Sequence, residues 1–157
     1  MTEHDPDLII RIAARGDGVT GDGRHFPLSA PGDRLDSAGQ LVPGPHHVTP
    51  PCRHFPQCGG CQIQQIDEQS LAEFVTQRVV GTLAGQGVHA DAVHAAHLSP
   101  TRSRRRASLR AVRAGKSVQF GFSEEASHKI VDLSECHILR PELFALSPPL
   151  EVEIEGN

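Results

Sequence analysis

The stretch Cys52-Arg-His-Phe-Pro-Gln-Cys58-Gly-Gly-Cys61 places three of the chain's four cysteines within ten residues, and the fourth, Cys136, follows much later. Cysteine thiolates are ligands for zinc and for iron-sulfur clusters, and a cubane cluster takes about four of them. Paired glycines also let backbone amides approach a cluster closely, because glycine has no Cβ. The spacing therefore predicts a metal centre held by Cys52, Cys58, Cys61 and Cys136.

Zinc, disulfides and buried free thiols are the alternatives to a cluster for this cysteine pattern. A zinc site also takes four thiolates, but it usually combines two closely spaced pairs, whereas this pattern is three plus one. Disulfides belong to oxidising compartments, for which the sequence carries no signal, and merely buried thiols have no reason to cluster. Zinc therefore stays as the alternative to iron.

Composition supports a metal-stabilised chain. Its 157 residues include no Trp, no Tyr and six Phe, so two small domains would each have a thin core that a metal centre would strengthen. The acidic start is unlike a secretory signal, and no apolar run reaches the roughly 18 residues of a membrane span. We therefore expect a cytoplasmic chain with reduced thiols and no membrane partner.

Positive charge is concentrated in one segment, although the formal net charge is −4. The stretch from Pro100 to Lys116 is rich in arginine and contains no acid. A strand in this stretch would expose alternate arginines along one edge. Arginines on an outer face are as readily explained by ordinary solvation, so the residues by themselves predict only a local basic surface.

The N-terminal part is predicted to be a small β module. Strands are expected over residues 8–13 and 24–28, with a glycine-rich turn over 15–23 between them. A Pro- and Gly-rich, irregular connector is expected to follow and to end near Pro51. We place the first domain boundary there.

The central part is predicted to combine one main helix with an antiparallel sheet. Apolar residues at helical spacing predict a helix over 67–83, with Asp67 as N-cap and Gly85 as its stop. Three strands are predicted, over 107–112, 118–122 and 129–133, and a short helix over 142–146. Phe120 and Phe122 are expected in the core rather than stacked on bases, on one face of a strand. The fold class is therefore α+β.

Several motifs occur in an order that resembles the RNA uracil-C5 methyltransferase family, in the iron-sulfur form that acts on 23S rRNA or tRNA. The segments that carry the resemblance are Cys58–Gln65, Ser103–Ala107, Gly121–Asp132 and Cys136–Leu139. It extends over about residues 8–143 and corresponds to the N-terminal portion of such a protein. The glycine turns near Gly16 and Gly32 are similar to those of a TRAM domain, which implies a shortened, barrel-like TRAM module.

The resemblance implies a cofactor and a partner. The four cysteines would hold a 4Fe-4S cluster, with His54 and His137 beside it, and the partner would be RNA, of ribosomal type. Its contacts would be made by five arginines of the basic segment, namely Arg102, Arg104, Arg105, Arg106 and Arg110. The predicted domains are 1–50, the shortened TRAM-like module and linker, then 51–145, the cluster-binding domain, and 146–157, a tail or the start of a methyltransferase domain.

The resemblance also implies a methyl transfer from S-adenosylmethionine that this chain is not expected to perform alone. That chemistry uses a Cys nucleophile and a carboxylate base. All four cysteines match the cluster motif, so we expect no catalytic residue here and S-adenosylmethionine only in a C-terminal domain or a separate chain. The alternative function is a zinc-stapled nucleic-acid-binding module without enzymatic activity.

Overall fold

A computed structural model describes residues 5–115 and 117–146 of the chain. The chain divides into two compact units. Of the described residues, the first unit, called here the strand-helix unit, comprises 5–49 and 63–98, and the second, the cysteine unit, comprises 50–62, 99–115 and 117–146. The described residues form short strands with one long helix, in agreement with the α+β class.

The structural units differ from the domains that the sequence predicts. Residues 63–98, placed by the prediction in the central domain of 51–145, group with the N-terminal strands. The predicted segment 146–157 lies, apart from Leu146, outside the described residues. Neither described helix has the length and apolar character that a membrane crossing requires.

A three-stranded antiparallel sheet begins the strand-helix unit, in the order β1 (Ile9–Ile12), β2 (Gly18–Thr20) and β3 (His25–Phe26). The sequence predicted a turn where β2 lies, and this was wrong, because β2 is the buried central strand. A Cβ on Gly18 would overlap Ser29 Oγ and come within 2.6 Å of Ile9 Cγ2. The glycine at this position therefore serves close packing rather than a turn.

Two further strands, β4 (Arg34–Leu35) and β5 (Leu41–Val42), form an antiparallel pair where the sequence predicted an irregular connector. The backbone N–H of Ile9 donates to Asp33 O at 2.8 Å and that of Leu35 to Asp7 O at 2.9 Å, so β4 runs beside β1. The described strands form separate small sheets and not a closed barrel.

The long helix α1 (Glu68–Ala84) confirms the predicted helix and both of its ends. Asp67 is the N-cap, and its Oδ1 accepts the Ser70 N–H at 2.8 Å. That hydrogen bond, together with the ring nitrogen of His46 at 2.8 Å, lowers the pKa of Asp67. A carboxylate that accepts backbone N–H groups at a helix start stabilises the first turn, which otherwise has unpaired donors.

The buried carboxylate of Asp33 connects the turns of the strand-helix unit. Its side chain is 0% exposed. Oδ2 accepts the Ala30 N–H at 2.7 Å and lies 2.8 Å from His47 Nδ1, while Oδ1 accepts the Gly44 N–H at 2.7 Å. Both oxygens are thus used, and three chain segments are fixed by one side chain.

The cysteine unit contains the hairpin β6 (Arg110–Ala114) and β7 (Ser117–Gly121), and the short helix α2 (Pro141–Phe144). The predicted strand over 107–112 begins three residues later than expected. The predicted strand over 129–133 was wrong: the Val131 N–H does donate to Phe122 O at 2.9 Å, but the Phe120 N–H is taken by the Asp132 carboxylate at 3.0 Å. A side chain replaces a backbone partner there, so no regular third strand forms.

Replacing Asp33 by Asn is expected to lower the free energy of unfolding by about 3 kcal/mol. Both carboxylate oxygens accept N–H groups, so either orientation of the amide would point its NH2 at a donor. The measurement is urea unfolding followed by circular dichroism. Asp36→Asn is the matched control, because Asp36 is exposed and one oxygen accepts both of its turn hydrogen bonds; it should change stability by less than about 0.5 kcal/mol. Equal losses for the two variants would contradict the role given to Asp33.

Candidate functional site

Three of the cysteines lie in residues 52–61, called here the cysteine loop. Backbone hydrogen bonds wind this loop into consecutive turns. The Phe55 N–H donates to Cys52 O at 3.1 Å, and the Cys58 N–H donates to His54 O at 2.8 Å. Cys58 is buried, at 7% exposure, while Cys52 and Cys61 are half-buried. The loop thus has a defined shape without belonging to a helix or strand.

Gly59 and Gly60 allow the loop to lie directly against the chain that follows β7. The Gly59 N–H donates to Ser123 O at 3.0 Å, and a Cβ on Gly59 would stand 2.7 Å from that oxygen. A Cβ on Gly60 would stand 2.8 Å from the ring of Phe122. The sequence predicted that these glycines admit a cluster, and the structure adds that they admit Ser123 and Phe122.

The segment that carries the fourth cysteine is hydrogen-bonded to the same loop. The Arg53 N–H donates to Glu135 Oε1 at 2.9 Å, which is the main reason that the pKa of Glu135 is lowered. The Ser134 N–H donates to His54 Nε2 at 3.1 Å. Sequence reasoning assigned no role to Ser134 or Glu135. These contacts bring the chain next to Cys136 onto the start of the cysteine loop.

Three of the four cysteines influence one another electrostatically. None of the four is in a disulfide. Burial raises the pKa of the Cys58 thiol, a backbone hydrogen bond at Gly60 lowers it, and the charges of Cys52 and Cys136 raise it further. The Leu139 N–H lies 3.4 Å from Cys136 Sγ and donates to it. Three of the predicted ligands are therefore close enough to influence one another.

The arrangement does not by itself form a finished metal site. Within residues 5–115 and 117–146, no three His, Cys, Asp or Glu side chains are placed so that they could hold a metal ion. The chemistry of the donor set nevertheless fits a cluster: four thiols, of which Cys58 is buried, and of which Cys58 and Cys136 each have a backbone N–H partner. Ligation by the four cysteines stays a prediction.

The two histidines beside the cysteines have protein partners. His54 Nε2 lies 3.2 Å from Ser134 Oγ, and His137 Nε2 lies 3.5 Å from Glu135 Oε1. Both rings are therefore oriented by the segment 134–135. Their expected influence on a cluster stays a prediction.

The five arginines predicted to contact RNA are all exposed. Only Arg110 lies in a strand, so the predicted alternation along one strand does not apply to the others. Within the described parts of the chain, none of the five forms an ion pair with a carboxylate. Arg104 Nη1 approaches Gly60 O at 3.5 Å. Their charges are therefore available to an anionic partner.

A parallel backbone pairing joins the start of the basic segment to the residues that follow Cys136. The Arg102 N–H donates to His137 O at 2.9 Å, the Arg104 N–H to Ile138 O at 2.8 Å, and the Arg140 N–H to Arg104 O at 3.0 Å. The sequence did not predict this pairing, because two short irregular segments leave no periodic signal. It places the basic segment beside the predicted fourth ligand.

Comparison with known proteins finds similar RNA methyltransferases. No protein-family model matches the chain. An uncharacterized RNA methyltransferase of Zymomonas mobilis is 46% identical over 136 residues, which are 87% of this chain and 34% of that protein. A 23S rRNA (uracil(1939)-C(5))-methyltransferase RlmD of Pectobacterium atrosepticum is 37% identical over 70% of this chain and 25% of its own length. The RlmD of Erwinia tasmaniensis is 34% identical over 96% of this chain and 33% of its own length.

The chain spans about a third of the length of the curated relatives it matches. The matched residues nevertheless include most of both structural units. This agrees with the order of motifs around the cysteine loop and the basic segment. The chain is thus related to the N-terminal portion of RNA methyltransferases, a group that includes 23S rRNA uracil-C5 methyltransferases.

Proposed function

We propose that the chain is the cluster-binding, RNA-recognising part of an S-adenosylmethionine-dependent RNA uracil-C5 methyltransferase, with ribosomal RNA as its substrate class. One observation carries the proposal. Hydrogen bonds join the cysteine loop to the chain beside Cys136. Backbone hydrogen bonds also join that chain to the start of the basic segment. A metal centre and a basic surface would therefore be parts of one structure.

The thiolates of Cys52, Cys58, Cys61 and Cys136 would hold the 4Fe-4S cluster. When bound, the cluster would supply a covalent cross-link between thiolates that are distant in the sequence, in addition to the hydrogen bonds already present. A thiol must lose its proton before it can bind a metal, so binding by these four cysteines would depend on pH. The role proposed for the cluster is structural, and it positions the basic segment.

Catalysis is assigned to residues beyond those present in this chain. Transfer of a methyl group to uracil in such an enzyme needs a nucleophile and a base. Binding of S-adenosylmethionine needs a cofactor-binding fold. We propose that these belong to another domain or chain, which would also bind S-adenosylmethionine. The strands of the strand-helix unit would act as a shortened TRAM-like module, and the working compartment would be the cytoplasm.

Metal content tests the proposed cluster. Protein purified without oxygen is expected to contain iron and sulfide and to absorb in the thiolate-to-iron charge-transfer region. Cys58→Ser and Cys136→Ser should each lose most of the iron, since a cubane needs about four thiolates. Ser108→Ala, an exposed substitution in the same unit, is the control and should retain it. Stoichiometric zinc with no iron would contradict the cluster and support the zinc-stapled alternative.

Removing the metal is expected to disorder the cysteine unit and leave the strand-helix unit folded, because ligation and folding are coupled in small metal domains. Amide NMR spectra recorded before and after chelation distinguish the two units. Signals from 99–115 and 117–146 should collapse towards random-coil positions, while those of β1, β2 and α1 persist. Unchanged signals from the cysteine unit would contradict a structural role for the metal.

Salt dependence tests RNA binding by the basic segment. The double variant Arg105→Ala and Arg106→Ala should weaken binding of single-stranded RNA. It should also flatten the slope of log affinity against log salt by about 1.4, or roughly 0.7 for each phosphate that is no longer neutralised. Arg140→Ala is the matched control, because Arg140 Nε already lies 3.4 Å from Glu142 Oε2. An unchanged slope in the double variant would remove the basic segment from the RNA-binding surface.

A further inference from the structure

A groove of about 650 Å³ lies within the cysteine unit, between the β6–β7 hairpin and α2. Its lining includes Leu109, Phe120, Leu139 and Leu143, together with Arg105 and Arg106. Leu139 is 2% exposed, whereas both arginines are exposed. The groove therefore has an apolar inner part and a positively charged outer part, and its volume lies in the range of small-molecule sites.

Charge gives the groove a preference for an anionic occupant. Among the described residues, no acidic side chain lines it. Within the described residues, Arg105 and Arg106 have no carboxylate partner, while Glu142 on nearby α2 is already paired with Arg140. An occupant that combines a flat apolar part with negative charge would complement both parts of the groove.

Phe120 is the aromatic side chain available to such an occupant. Phe122 lies against Gly60 of the cysteine loop, but Phe120 lines the groove and is half-buried. Hydrogen bonds hold its backbone on both sides, since its N–H donates to Asp132 at 3.0 Å and its C=O accepts the Leu133 N–H at 3.0 Å. The ring is thus presented by a fixed strand and not by a mobile loop.

We propose that this groove binds one unpaired nucleobase of single-stranded RNA, which stacks on Phe120 while Arg105 and Arg106 hold the flanking phosphates. The inference rests on the proposed function, that the chain recognises RNA, and adds which form of RNA it takes. A base inside a duplex cannot reach the ring, whereas a base splayed out of a loop can. Stacking on an aromatic ring tolerates any base, so the groove selects unpaired structure more than sequence.

Fluorescence anisotropy of the metal-loaded full chain with labelled RNA tests the groove. The probes are a short single-stranded RNA, the same strand without bases at its central positions, and its duplex. The single strand should bind about tenfold more tightly than the base-free strand, and Phe120→Leu should remove about that factor without changing the salt slope. Phe144→Leu is the matched control, being the same substitution in the same unit outside the groove lining.

Different outcomes separate the groove from the proposed function. In one outcome, Phe120→Leu binds RNA as tightly as the unaltered protein, and the base-free strand binds as tightly as the complete single strand. If the arginine double variant loses affinity at the same time, RNA recognition stands and the base-binding groove is wrong. An equal loss for Phe144→Leu would also overturn the groove, because the effect would then be one of folding. If the metal-loaded chain binds none of the three RNAs, the proposed function falls together with the groove. The base-free strand needs no variant, so the test remains decisive if Phe120→Leu fails to fold.

Discussion

The cysteine unit depends on the hydrogen bonds that tie the cysteine loop to the chain before Cys136. Arg53 and Glu135 are 82 positions apart in the sequence, and His54 and Ser134 are 80 apart. Bringing such distant segments together costs conformational entropy, which rises slowly with the length of the closed loop. A few exposed hydrogen bonds contribute little net stability each. A bound metal would therefore offset an entropic cost that these hydrogen bonds balance only in part.

The strand-helix unit solves the same problem of a thin core with polar groups. Its buried apolar residues are few, and Thr20, Ser29, Asp33, Gln65 and Ser70 are buried beside them. Buried polar groups stabilise a fold only when their hydrogen bonds are made, and Asp33 makes three. Gln65 is satisfied on one side only: its Nε2 donates to Ser29 O at 3.1 Å, while its buried Oε1 has no hydrogen-bond partner among the described residues. Precise turn geometry thus replaces part of the hydrophobic packing that a larger domain would use.

The sequence predicted those features whose signals are local. Helix α1 was found with both ends because its N-cap carboxylate and its glycine stop lie within the segment itself. Strands β2, β4 and β5 were missed, because two or three residues are too few to show alternation. In β2, Gly18 also gives the same sequence signal whether it turns the chain or packs against Ser29. The cysteine loop was singled out from spacing alone, and its role as a metal site stays a prediction. The pairing of Arg102 and Arg104 with the residues after Cys136 was not predicted, because nothing in either segment indicates its distant partner.

The net charge of −4 does not describe the surface around the basic segment, because the charges are unevenly distributed and several acids are paired in other parts of the chain. Asp7 and Asp22 pair with Arg24, Asp5 with Arg34, and Glu135 with Arg53. Asp33 and Asp67 are taken by histidines and backbone N–H groups. An acid that is already paired neutralises its partner and adds little to the field beyond a Debye length of about 10 Å. The arginines of the basic segment have no such partners among the described residues, so their charge dominates locally. For phosphate binding, the distribution of paired and unpaired charge therefore matters more than the sum.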